Sequence, residues 1–114
     1  MSFDEMMKEL RIEYLHSLPS KIHELEQSCA QNDVDSLLED FHKLKGTGKT
    51  YGFDAVSELS AVVERVLNRQ PQVCSQVVPE AIDILRDIHR EHSASRSFDL
   101  ASDSRFNEIR ALAA

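Results

Sequence analysis

Phe41-His42-Lys43-Leu44-Lys45-Gly46-Thr47-Gly48-Lys49-Thr50-Tyr51-Gly52 is the stretch whose reading decides the fold. With the residues before it, Val34, Leu37, Leu38, Phe41, Leu44, Gly48 and Tyr51 recur at three- and four-residue steps, so they share one face of a helix. Gly52 stands where a helix C-cap is expected. All three glycines of the chain lie between positions 46 and 52. Gly46 and Gly48 fall inside the helical pattern, where each costs about 1 kcal/mol relative to alanine. Something must offset that cost: either a neighbouring helix approaches closely, or an outside partner needs a surface cleared of side chains. The stretch contains three lysines and no acid, which makes a local positive patch in a chain of net charge −7.

Upstream, Phe3, Met6, Met7, Leu10, Tyr14 and Leu18 form an apolar stripe, predicting a helix from near Phe3 to about Ser17. Pro19 predicts a kink or short break, after which Ile22, Leu25 and Cys29 resume the pattern toward Gln31. Asn32-Asp33 is a turn followed by a cap for the next helix. Downstream, Asp54 is expected to cap a helix carrying Val56, Leu59, Val62, Val63, Val66 and Leu67 and ending before Pro71. A further pattern runs from Pro71 to His92, interrupted at Pro79, with its strong helix over 79–92. Residues 93–104 read as a linker, followed by the makings of a short last helix around Phe106, Ile109 and Leu112.

A length of 114 residues fits one domain. With 41% hydrophobic and 29% charged residues the chain can fold around a core, and three glycines with three prolines are too few for the turns of an all-β protein. The expectation is an all-α, antiparallel up-down four-helix bundle over residues 1–92, with a kinked or extra N-terminal helix and a tail over 93–114. Twenty acids against thirteen Lys and Arg argue against nucleic acid as a partner. The acidic start Met1-Ser2-Phe3-Asp4-Glu5 and the absence of a long apolar run point to a cytoplasmic protein without membrane contact. Cys29 and Cys74 lack metal-site spacing and read as reduced core thiols.

His42 lies about 100° around its helix from Phe41 and about 160° from Leu44, so its imidazole should face water. Its neighbours at helical steps are Lys45, Gly46 and Lys49 downstream and Glu39, Leu38 and Asp35 upstream. An exposed imidazole with ammonium groups one and two turns away and a missing side chain at Gly46 is suited to take up a phosphoryl group from a protein donor. A neutral imidazole, whose ordinary pKa is near 6.5, is a ready nucleophile at cellular pH.

His42-Lys43-Leu44-Lys45-Gly46, followed by Gly52, Leu59 and the pair Val63-Glu64, resembles the histidine-containing phosphotransfer (HPt) domain of multistep two-component phosphorelays. The resemblance covers most of residues 6–92 and implies a four-helix bundle. It implies His42 as the phosphorylated residue, Lys45 and, less directly, Lys49 as phosphoryl-supporting side chains, and Gly46 as the opening for the partner's active site. Lys43, Glu39, Leu38 and Asp35 complete the expected docking face. The chain departs from the common pattern at Phe41, where a small residue is usual, and at Gly48, where alanine or serine is commoner. The implied partners are a response-regulator receiver domain, a hybrid sensor histidine kinase, or both. Because the sequence offers neither a nucleotide loop nor an acidic metal pocket, the chain is expected to be a carrier rather than an enzyme. It needs no cofactor of its own, with Mg²⁺ held by the receiver. A bundle completed within one chain is expected to be a monomer.

Two rival readings remain. Glu13-x-x-His16 and Glu39-x-x-His42 match the Glu-x-x-His spacing of carboxylate-bridged metal bundles, although both pairs sit off the apolar stripes. A degenerate HPt fold used only for binding is disfavoured because His42 and Lys45 are both present.

Overall fold

The computed structural model describes residues 2–114, and among them the regular structure is entirely helical. Five α-helices follow one another: α1 (Phe3–Ala30), α2 (Val34–Thr50), α3 (Asp54–Arg69), α4 (Cys74–Ser93) and α5 (Ser104–Leu112). Short 3₁₀ turns at Pro71–Val73 and Leu100–Ser102 precede α4 and α5.

Three helices stop in the same way. After α2, Gly52 takes φ +80°, the Phe53 amide donates to the Gly48 carbonyl at 2.7 Å and the Gly52 amide donates to that of Lys49 at 3.3 Å, the paired bonds of a Schellman motif. Asn32 (φ 51°) closes α1 and Ser95 (φ 60°) closes α4 with equivalent bonds, Asp33 to Ser28 and Arg96 to Glu91. Asp33 then starts α2, accepting from the Ser36 amide at 3.1 Å. Asp54 is the first residue of α3 rather than its cap; the cap position belongs to Phe53, which is buried by the turn and offers no side-chain bond.

The expected breaks at Pro19 and Pro79 do not occur, and α1 and α4 run through both. Both rings lie on exposed faces, while Leu18, Ile22 and Leu25 are buried on one stripe that flanks Pro19. Burial of that stripe against the bundle outweighs the single backbone bond a proline removes. α4 therefore begins at Cys74, and its N-terminal turns contribute Val77 and Val78 to the core.

α2 packs chiefly on α3 and α1 chiefly on α4, with α3 against α4 and α1 against α2 closing a helical bundle. The core is built from Leu18 and Leu25 of α1, Leu37 and Phe41 of α2, Leu59, Val63 and Val66 of α3, and Ile84, Leu85 and Ile88 of α4. α5 lies on α3 and α4 with Phe106 and Ile109 fully buried. Asp103 caps α5, and Arg105 ties it to Asp87 at 2.8 Å. Hydrogen bonds to these two acids, the larger from Asp103, push the Arg105 pKa further up. Met6 and Phe3 do not reach the core and Met7 is only half-buried, because α1 has 28 residues and outruns the helices it packs on. Both cysteines are free thiols, Cys74 buried and Cys29 partly so. No described helix is long and apolar enough to cross a membrane.

Candidate functional site

Helix α2 is two-sided. Leu37, Phe41, Leu44 and Gly48 face inward, and His42 faces out with a side chain 67% exposed. Gly48 decides how α3 lies against this helix. A Cβ there would sit 2.9 Å from the Ser57 amide nitrogen and 3.2 Å from the Phe53 carbonyl, so only glycine admits the α3 backbone at this distance. The Ser57 hydroxyl locks the contact by donating to the Lys45 carbonyl at 2.7 Å. With Gly48 against Ser57, α3 runs back along α2 and its third turn comes opposite His42.

That register brings Glu64 to the imidazole. His42 Nδ1 lies 2.7 Å from Glu64 Oε2, and Lys45 Nζ donates to Glu64 Oε1 at 2.9 Å. One carboxylate thus holds both residues. A carboxylate only accepts hydrogen bonds, so in the neutral ring Nδ1 carries the proton and Nε2 keeps its lone pair. The nitrogen with the free lone pair is therefore the one away from α3. Glu64 is 17% exposed. Its partial burial pushes the carboxyl pKa up, but donation from Lys45 and from His42 outweighs this and holds the group below the usual carboxylate range.

Gly46 differs from Gly48 in kind: no atom lies within 4 Å of where its Cβ would stand. With Lys45, Lys49, Asp54, Ser57 and Glu58 it lines an open cleft between α2 and α3. Lys49 lies on the rim of this cleft, away from the Glu64 contact. Asp35 and Glu39 are exposed on the His42 side of α2, and Leu38 is partly buried against the core. Lys43 stands apart, pairing with Glu39 at 3.0 Å and lining a groove toward α1 with Lys21, Glu24 and Asp40. The positive patch expected from the lysine-rich stretch is largely neutralised, because Lys43 and Lys45 each have a carboxylate partner.

Glu64 is the partner of His42 that periodicity alone did not single out. Its signal is long-range: once Gly48 is placed against Ser57, residues equally far from the turn on α2 and α3 face each other, and the partner of His42 falls near 63–64. The Glu-x-x-His pairs assemble nothing comparable. Glu13, His16, Glu39 and His42 are exposed, and among the described residues no three His, Cys, Asp or Glu side chains converge on a common point. The His92 ring packs edge-on against Phe53 at 5.0 Å. Burial, with the Arg11 charge, lowers its pKa.

A family model described as the Hpt domain matches residues 9–91, a span that contains α2, α3 and most of α1 and α4. No curated protein and no solved structure matches the chain.

Proposed function

This chain belongs to the Hpt domain family, whose members carry phosphoryl groups on histidine in phosphorelays, and from that premise we propose that His42 exchanges a phosphoryl group with the aspartate of a receiver domain. The observation that carries the reading is the exposed imidazole whose Nδ1 is held by Glu64. In the forward direction the Nε2 lone pair attacks the phosphorus of the partner's aspartyl phosphate in line. The N–P bond forms, the P–O bond to the aspartate breaks, and the aspartate leaves as a carboxylate. The ring gains positive charge as it accepts the group, and the Glu64 carboxylate at Nδ1 stabilises that charge and fixes the ring's direction. Lys45, one helical turn away, is placed to turn from Glu64 toward the incoming phosphoryl oxygens, with Lys49 a further turn along. Reverse transfer follows the same path, with the N–P bond broken and the P–O bond to the aspartate remade.

The chain acts in this reading as a carrier, and the receiver supplies the divalent cation and the rest of the transfer chemistry. The partner's active-site edge enters over Gly46, where the surface is clear, and docks along the face that includes Asp35, Leu38, Glu39 and Lys43. The same reading takes α1–α4 as an antiparallel up-down carrier bundle, residues 93–114 as an appended segment braced on α3 and α4, the cytoplasm as its compartment, and a receiver domain or hybrid histidine kinase as its partner. Incubation with a panel of phosphorylated receiver domains tests it. The expected result is phosphate on this chain that is acid-labile and alkali-stable; no transfer from any receiver or kinase would refute the reading.

A further inference from the structure

The stripe of α1 that packs on the bundle through Tyr14, Leu18, Ile22 and Leu25 continues beyond the bundle's end. Its next positions are Leu10 and Arg11, then Met7 and Lys8, then Phe3 and Asp4. No residue of Phe3–Glu13 is buried, and Phe3 and Met6 are 70% and 45% exposed. The strip is therefore a helical seam only partly covered by the rest of the chain, apolar along its middle.

Its charges are arranged end to end. Asp4 stands at the N-terminal end and Lys8 and Arg11 at the other, with Met7 between them. Such a seam complements itself when it is turned over: a two-fold axis through Met7 sets Met7 against Met7, and Asp4 of each copy beside Leu10 and Arg11 of the other. At the base of the overhang, on the side of the seam that carries Lys8 and Arg11, lies an open cleft of about 490 Å³ lined also by Ile12, Leu15, Phe53 and His92. Arg11 is already held there, its guanidinium 5.7 Å from the centre of the Phe53 ring and packed against Gly52.

We propose that the N-terminal half of α1 is a homodimerisation surface on which a second copy of this chain pairs antiparallel about Met7. The proposal departs from the expected monomer, which rested on a bundle complete within one chain; the overhang lies outside that bundle. Two short helices with one aromatic anchor each bury less than the roughly 800 Å² per partner of a standard interface, so the dimer is weak and forms at high micromolar concentration. His42 lies about 13 Å along α2 from the end that carries the overhang, counted by helical rise, and stays open to its partner in either state.

Sedimentation velocity from low micromolar to near-millimolar concentration tests the surface. Wild type should shift from monomer to dimer and no further. Met7→Asp and Phe3→Asp should weaken association by roughly tenfold or more, while circular dichroism confirms an unchanged helical fold. Asp4→Arg and Arg11→Asp should each weaken it, and the two together in one chain should restore it, because both copies then carry the reversed pair. A wild type that stays monomeric, open-ended oligomers, association indifferent to Met7→Asp, or a double reversal no better than either single change would overturn the proposal. None of these outcomes depends on phosphoryl transfer, which His42→Gln probes separately.

Discussion

Gly46 and Gly48 stand two residues apart on one helix and carry the same propensity penalty, yet they face opposite environments. Gly48 is buried and its missing Cβ admits the backbone of α3; Gly46 is exposed and its missing Cβ admits nothing from this chain. The inner glycine sets the register that brings Glu64 to His42. The outer one leaves open surface one helical turn from the same imidazole. In the proposed reading a glycine-rich helix serves two purposes at once, and the two sides of α2 should respond oppositely to the same kind of substitution.

The largest effect belongs to the outer side. His42→Gln should fold with unchanged stability and lose phosphoryl acceptance completely, as read by label retained after alkali. Glu64→Ala keeps the nucleophile but frees its ring, and transfer should slow by about 10- to 100-fold, the usual effect of removing a group that orients a reactive imidazole. Glu64→Gln, which still offers an acceptor to Nδ1, should fall between this variant and wild type in a rapid-quench time course.

Stability measurements separate the two glycines directly. Gly48→Ala should destabilise the bundle by about 1–3 kcal/mol in urea titrations, because its Cβ meets backbone atoms that cannot turn aside. Gly46→Ala should do the reverse and raise stability by up to about 1 kcal/mol, since it gains helix propensity in open space. If Gly46→Ala also slows exchange with a receiver, the gap is a docking feature; if exchange is unchanged, it is not.

The smallest effect is one of pH. Glu64 titrates below its ordinary value near 4.5 because His42 and Lys45 donate to it against the opposing effect of burial. A carboxyl depressed in the folded state contributes stability that is fully present above its unfolded pKa and is lost as pH falls through the folded one. Wild type should therefore lose stability relative to Glu64→Gln as pH drops below about 4.5, and the two should run parallel at neutral pH.

Much of this was legible in local sequence. Asn32-Asp33 and Gly52 mark helix ends because a left-handed residue and a side-chain cap are short-range requirements, and the outward direction of His42 follows from its angle to Phe41 and Leu44. Three features were not legible. Pro19 and Pro79 look like breaks because propensity does not register the burial on either side of them. Phe3, Met6 and Met7 look like core because periodicity reports a face and not whether another helix reaches it. The purpose of each glycine stayed open because a close approach and a vacant surface have the same composition; only the position of Ser57 distinguishes them. Glu64 was named only within the Val63-Glu64 pair of the resemblance; its pairing with His42 was not legible, since the contact crosses from α3 to α2 and depends on the turn between them.

The central claim is that the nitrogen facing solvent on His42 takes the phosphoryl group. Transfer from a phosphorylated receiver, followed by mass spectrometry at neutral pH to locate the label, tests it most directly. The account predicts one phosphoryl group, on His42, with none on His16, His23, His89 or His92. Label on any other residue, with His42 unmodified, would contradict it.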